Sequence, residues 1–387
     1  MEINLLSISG GKDSTAMALH AIDREIEAVR HVFSDTGHEH PETYRYVDYL
    51  ETVIGPIQRV KADFSEAIAR KRKRVEETWY ELLQQESTGE WKWDGPLEPC
   101  PEGEDPGRWL KLARPWNTLR NSAEPQPPVP TDRRSWQIKN TAAGRWTWFP
   151  AYPPLTAEES RKAVAETLAV LHPTGNAFLD LCVYKGRFPS TRARFCSQEL
   201  KHEPMWFQAV EPLLEEGHSV ISWQGVRAEE SPSRAKLQET EQSAPNVRIY
   251  RPLLRWTWHE VFAIHRRHGV RWNPLYEMGA SRVGCMPCIH CRKSELREIA
   301  LRWPEQLARV AEWEARVSAA SRFVSCAFFS SDKIPGDHHG RRDVNIPGIH
   351  EVAAWAKTGH GRTGMDDLFM EETEELPMCS SLYGLCE

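Results

Sequence analysis

Short apolar runs alternate with helically spaced stretches over the first sixty residues. Ile3 to Ile8 is an apolar run of the kind that forms a buried parallel strand. A Ser-Gly-Gly turn follows, and Thr15 to Ile26 then shows the apolar spacing of a helix. Glu27 to Phe33 predicts a second strand, ending at Ser34-Asp35-Thr36-Gly37. Pro41 opens a second helix, as a first-turn proline should, with Tyr44, Val47 and Leu50 on one face. Ile57 to Val60 predicts a third strand. Alternation at these lengths predicts an α/β fold built on an open, mostly parallel, doubly wound sheet. The ligand of such a sheet sits at the carboxyl ends of its strands, where both polar turns fall.

The pattern breaks after about Thr88. Residues 96–154 hold 12 of the 27 prolines, and residues 79–148 hold 8 of the 16 tryptophans. Proline at that density forbids long helices and central strands, and tryptophan at that density is foreign to a flexible linker. An ordered insertion is expected, either a lid packed on its own core or an aromatic platform for a substrate or partner. Helical spacing returns from Ala157 to Leu171 and from Trp258 to His268, with a strand from Val220 to Trp223 between them. Residues 293–316 predict one long helix of mixed charge, and Asp366 to Glu375 an acidic, solvated tail.

The 387 residues carry 49 Lys+Arg against 55 Asp+Glu, a formal charge of −6. That balance excludes nucleic-acid binding by bulk charge but leaves a local basic groove open; Arg70-Lys-Arg-Lys-Arg74 reads either as a solvated helix face or as such a contact. A hydrophobic share of 40% excludes wholesale disorder. No run of apolar residues is long enough to span a bilayer, and Met1-Glu2-Ile3-Asn4 lacks a basic leader, so a cytoplasmic protein without membrane contact is expected. Thiols stay reduced there, and the 9 cysteines read as metal ligands or catalytic groups before disulfides.

Ser9-Gly10-Gly11-Lys12-Asp13-Ser14-Thr15 lies between the first strand and its helix. Two adjacent glycines let the backbone fold into a cradle of N–H groups, and the helix N-terminus offers further donors and positive dipole to an anion. Ser9, Ser14 and Thr15 add hydroxyls, and Lys12 adds charge. An Asp inside such a turn suggests a bridging Mg²⁺. This heptapeptide resembles the pyrophosphate loop of the adenine nucleotide alpha-hydrolase superfamily, whose members bind ATP or a related adenylate and act at its α-phosphate.

Further segments narrow the resemblance. Asp35-Thr36-Gly37-His38-Glu39-His40-Pro41-Glu42-Thr43-Tyr44 is similar to the second-strand signature of the phosphoadenosine phosphosulfate (PAPS) reductase family. Arg194-Phe195-Cys196-Ser197-Gln198-Glu199-Leu200-Lys201 resembles that family's Cys-Thr-x-x-Leu-Lys segment. Gly225-Val226-Arg227-Ala228-Glu229-Glu230-Ser231, with Arg234, resembles its Gly-x-Arg-x-x-Glu-Ser element. Pro252 to Trp258, Asn273-Pro274-Leu275-Tyr276 and Arg282-Val283-Gly284-Cys285 follow in the same order. The likeness covers residues 3–64 and 176–300.

The resemblance implies a nucleotide-binding set of Ser9 to Thr15, Asp35, Thr36, Gly225, Arg227 and Arg234. It makes Lys12, Asp13, Lys201 and Arg227 catalytic candidates. It also implies a division into two halves of a nucleotide-binding α/β domain, 1–88 and 156–280, around the insertion 89–155. A cysteine-containing helical region, 281–387, would follow.

Cys285-Met-Pro-Cys288-Ile-His-Cys291 is a Cys-x2-Cys-x2-Cys run whose thiolates can face one centre. Cys196 is the expected fourth ligand, because its motif lies beside this loop in the family. Four such thiolates suit a [4Fe–4S] cluster; a structural Zn²⁺, with His290 as a substitute ligand, is the alternative. Adenylylsulfate reductases carry a Cys-Cys pair where this chain has Phe195-Cys196. The pattern looks closer to the sulfurtransferase component of bacterial DNA phosphorothioation systems. Cys182, among apolar neighbours, is expected in the core on a strand.

Three readings of function stay open. The intact loop favours an ATP-dependent enzyme that releases AMP or pyrophosphate, activating a target for sulfur transfer from a thiol or sulfur-donor protein. Thiol-dependent reduction of PAPS or adenylylsulfate to sulfite is the second, with Cys386 in Tyr383-Gly384-Leu385-Cys386-Glu387 as nucleophile and Cys379 resolving it. The third is a nucleotide-binding accessory protein of a nucleic-acid modification or defence complex, using the basic run and the tryptophans. His38 and His40 are either phosphate or metal contacts or ordinary loop residues, and Asp337-His338-His339-Gly340 reads as a surface loop.

Overall fold

Leu5 and Leu6 are neighbours in the first strand, yet both are buried, at 1% and 0% exposure. A strand covered on both faces is the mark of a central position in a parallel sheet. The computed structural model describes residues 1–85, 87–93, 146–152, 154–191, 193–322, 325–329 and 346–358. In it β1 (Glu2–Ser7) is flanked by β2 (Val29–Asp35) and, on the other side, by β6 (Ser219–Trp223), both parallel to it. β3 (Ile57–Lys61), β7 (Thr240–Ala244) and β8 (Val247–Tyr250) complete the order β3-β2-β1-β6-β8-β7. Only β7 runs antiparallel, pairing with β8. Its exposed Thr240-Glu241-Gln242 keeps a polar edge that discourages further strand pairing.

The two faces carry separate cores. Leu6, Ile8, Phe33, Met17 and Leu50 gather on one, beneath α1 (Lys12–Asp23) and α2 (Pro41–Ile54). Leu5, Val32, Val60, Val220 and Val247 gather on the other, against Met205, Ala209 and Val210. This is the open, mostly parallel α/β sheet expected from the sequence. α1 begins three residues earlier than its apolar spacing predicts, because Gly10 turns the chain at a φ of +78° and Gly11 is already its N-cap. Its end comes early too, where Glu25 and Ala28 take φ values of 51°.

Two expectations are corrected. Cys182 is buried as foreseen, but it lies in α5 (Ala177–Lys185) rather than on a strand. Seven consecutive buried positions, Ala177 to Val183, erase the helical period that would have shown this. The single helix expected over 293–316 is two, α8 (Lys293–Arg302) and α9 (Pro304–Ala319), separated at Trp303 because Pro304 starts a new first turn.

The chain divides into two compact units, Met1–Arg74 with Glu166–Glu387, and Val75–Ala165. In the smaller, β4 (Ser87–Trp93) pairs antiparallel with β5 (Trp146–Tyr152), and the register sets Trp91 opposite Trp148 and Trp93 opposite Trp146. The rest of the proline-rich insertion, Cys100, His338, His339, the acidic run, Cys379 and Cys386 lie outside the described residues. In the larger unit the basic run sits in α3 (Ser65–Arg74). Its Lys71 donates to Val183 O at 2.8 Å and to Ala320 O at 2.7 Å. Arg72 donates to Leu168 O at 2.7 Å, in the last turn of α4 (Ala157–Val170). Two of the five basic side chains thus cap helix C-termini instead of facing solvent.

Candidate functional site

β1 and β6 are adjacent parallel strands whose onward connections leave in opposite directions, so a crevice opens at their carboxyl ends. Ser9–Thr15 leaves β1 there, and Gln224–Arg227 leaves β6. The two turns nearly touch: a Cβ at Gly225 would stand 3.2 Å from the carbonyl of Asp13 and from Ser14 N. Ser14 Oγ organises the loop, accepting from Ser9 N at 3.1 Å and from Ser9 Oγ at 3.0 Å. Three side chains from the segment beyond β8, which holds α6 (Trp258–Arg267) and α7 (Pro274–Glu277), brace its backbone. Asn273 donates to Gly10 O at 3.1 Å, His265 Nε2 lies 2.9 Å from Lys12 O, and Lys12 N donates to Tyr276 Oη at 3.2 Å. Burial holds His265 below its ordinary pKa, so the ring stays neutral and can donate to that carbonyl.

The charges of the crevice are paired. Asp13, 1% exposed, binds Lys12 at 2.8 Å and the guanidinium of Arg227. Arg227 also meets Glu229 and Glu230, and Glu230 in turn binds Arg234. Three cations therefore face three carboxylates. Lys201, the remaining basic candidate, sends its charge toward the thiol of Cys285.

Asp35 and Thr36, at the end of β2, look two ways. Asp35 accepts from Tyr44 Oη and Gly37 N, both at 2.9 Å, and lies 3.7 Å from Lys61 Nζ. Lys61 also lines a cavity of about 260 Å³ with Asp63, Ser65, Pro173, Gly175 and Asp180. Thr36 turns toward the cysteines: its hydroxyl donates to Glu39 at 2.7 Å and lies 3.9 Å from Cys285 Sγ. Glu39 is 4% exposed, forms an isolated backbone bridge with Cys285 and accepts from that thiol at 3.9 Å. Burial and the Glu39 carboxylate push the Cys285 thiol up.

Cys196 and Cys288 are electrostatic neighbours of Cys285, whereas Cys291 is buried with its thiol 3.5 Å from Arg292 O. Among the described residues, no three His, Cys, Asp or Glu side chains stand as a group that could hold a metal. The donor types suit a thiolate-held centre; as they stand, the four cysteines do not form a four-thiolate cage. Neither His38 nor His40 points to a free ligand position. His40 caps α2, accepting from Glu42 N at 3.1 Å, and His38 is stacked on Phe178 at 4.3 Å.

A profile of the phosphoadenosine phosphosulfate reductase domain matches residues 3–90 and 165–291. The chain belongs to this family. An uncharacterized 37.8 kDa protein in the gpa 5' region of Escherichia phage 186 is 41% identical over 392 residues, covering 100% of this chain and 97% of that protein. The adenosine 5'-phosphosulfate reductase of Allochromatium vinosum is 41% identical over 81 residues, 20% of this chain and 32% of its own length. That of Burkholderia cepacia is 36% identical over 109 residues, 28% of this chain and 44% of its own length. The chain thus spans less than half of either reductase. A PAPS reductase structure from Candida auris, a phosphate complex, aligns at 14% identity with a TM-score of 0.33 over 74% of this chain and 82% of that one. That likeness is slight, and the strand order establishes the fold without it.

Among the residues at the site, Glu39, Tyr44, His265, Tyr276 and Arg309 carry no signal of their own as functional groups in the sequence, although Glu39, Tyr44 and Tyr276 fall inside the quoted motifs. His38 makes a prediction of its own. Burial first, and Arg309 second, lower its pKa from 6.5 to about 3, so the folded protein holds it neutral. The unfolded chain protonates it below pH 6.5 while the folded chain does not, so stability is intact above that pH and falls as pH drops toward 3. The slope reaches about 1.4 kcal/mol per pH unit. Urea unfolding of a His38→Gln variant should lose less stability than wild type between pH 7.5 and pH 5; equal losses would remove His38 as the cause.

Proposed function

We propose that this family member binds an adenine nucleotide across Ser9–Thr15 and acts at its α-phosphate, converting ATP to AMP and pyrophosphate to activate a target for sulfur transfer. The observation that carries the reading is the intact loop at the β1/β6 crevice, with Asp13 bound to Arg227 across it. Displacement at an α-phosphorus asks mainly for positioning and charge stabilisation. The N-terminus of α1, the Ser9 and Ser14 hydroxyls and Lys12 supply these on one side, and Arg227 and Arg234 on the other. Since the cations of the crevice are already balanced by Asp13, Glu229 and Glu230, a triphosphate would bring uncompensated charge, which a bound Mg²⁺ would offset in part. Asp35, Tyr44 and the cavity beside Lys61 would take the adenosine end.

Incubation with α-labelled ATP and Mg²⁺ should give AMP, and no AMP under reducing or oxidising conditions would sink the reading. The thiols near β2 favour a second reading, in which PAPS or adenylylsulfate is reduced to sulfite, as the names of the matched reductases suggest. Sulfite release that disappears in a Cys386→Ser variant would select it. In either case Cys196, Cys285, Cys288 and Cys291 are the residues we assign to a [4Fe–4S] cluster, or to zinc. Iron, acid-labile sulfide and zinc analysis of anaerobically purified protein distinguishes the two.

A further inference from the structure

α9 and the residue before it pack on the loop after β2 at several points. Trp303 meets His40 edge to face at 5.7 Å, and Glu305 faces the same imidazole. Trp313 lies 5.1 Å from His38. Between them, Arg309 Nη2 donates to His38 Nδ1 at 3.3 Å and to Met286 O at 3.2 Å. Four-residue spacing puts Glu305, Arg309 and Trp313 on one helix face.

His38 extends the contact. Its Nε2 lies 2.8 Å from Pro287 O, and its carbonyl accepts from Met286 N at 3.0 Å. Met286 and Pro287 are the two residues between Cys285 and Cys288, so the backbone that spaces those thiols is tied to the end of β2 at both positions. Arg309 also stands near Glu39, Tyr44 and Cys285, where a buried carboxylate needs a compensating cation. A planar guanidinium can serve acceptors in two directions at once, which an ammonium on a flexible stem does less well.

We infer that Arg309 is a positioning residue of the site, which directly at Met286 and through His38 at Pro287 holds the Cys285–Cys288 loop against the end of β2. Arg309 lies beyond residue 291, the last residue matched by the family profile. The inference concerns the seating of the thiol loop and does not depend on the nucleotide reading, so either can fail alone.

The test is the rate at which iodoacetamide alkylates each cysteine of the native, full-length protein, read by peptide mass spectrometry. Arg309→Gln and His38→Ala should each speed alkylation of Cys285 by about tenfold or more through local opening. The double variant should fall short of the product of the two single effects, because the two side chains are bonded to each other and hold the same loop. Arg309→Lys should lie between Gln and wild type. Cys182 and Cys326, which are hydrogen-bonded to neither side chain, should change much less than Cys285. An unchanged Cys285 rate, a double variant that multiplies the two effects, or a parallel rise at all three thiols would each overturn the inference.

Discussion

Replacing Arg227 by Met is expected to cost about 3 kcal/mol of folding stability and to lower AMP formation at least about 100-fold. The stability loss follows from what stays behind. Asp13 is 1% exposed, and without Arg227 its carboxylate keeps only Lys12, 2.8 Å away, in a place water scarcely reaches. Removing one member of a buried pair is expensive chiefly because the other charge remains. Asp13→Asn should cost less, about 1–2 kcal/mol, since Arg227 retains Glu229 and Glu230. Urea unfolding of the two variants therefore ranks them, with Arg227→Met the less stable. The reverse order, or an Arg227→Met protein as stable as wild type, would show that the crevice is not held together by this pair. Under the proposed function both variants should lose nucleotide turnover, because each removes a group assigned there to the nucleotide site.

Gly10→Ala is the second change with a large expected effect. The residue sits at a φ of +78°, and an added Cβ would come within 2.8 Å of Thr43 Cγ2. Backbone strain of this kind costs about 1–3 kcal/mol, before the collision is counted. The chain can relieve both only by moving Gly10, whose carbonyl is the acceptor for Asn273 at 3.1 Å. The loop would then lose its brace along with its shape, and ATP affinity should fall by more than about tenfold. A second substitution, Thr43→Ser, removes Cγ2 while leaving the φ strain, so the double variant should regain part of the stability but not all of it. Calorimetric titration with ATP and thermal melts measure both effects. Wild-type ATP affinity in Gly10→Ala, or no recovery on adding Thr43→Ser, would contradict the geometry.

These two positions were readable from the chain because their chemistry is local. Ser-Gly-Gly-Lys-Asp-Ser-Thr carries its own turn, donors and charge, and the alternation around it is enough to set it at a strand end. Arg227 was equally visible within its motif, although its bond to Asp13 spans more than two hundred residues and only folding reveals it. Other site residues were hidden. His265 and Arg309 come from helices whose apolar period reports packing and says nothing of where a polar tip will reach. Cys182 was assigned to the wrong element because complete burial removes the contrast on which periodicity depends. The break before Pro304 was missed for the opposite reason: strong helical spacing continues on both sides of it. The basic run looked like a solvated face until Lys71 and Arg72 were found on carbonyls of other helices, a long-range outcome with no local trace.

The dependence of the β2 loop on α9 has a bearing on how the protein is made. Residues 36–40 leave the ribosome early, but His38 is surrounded by Phe178, Trp313 and Phe328 and is bonded to Arg309. Domains generally assemble as their residues become available during synthesis. Here the strands β1 to β3 can pair early, whereas the loop at the end of β2 must wait some 270 residues for its walls. Until then its histidine and glutamate stay open to solvent. This loop thus closes late, although its own residues are among the first to be translated.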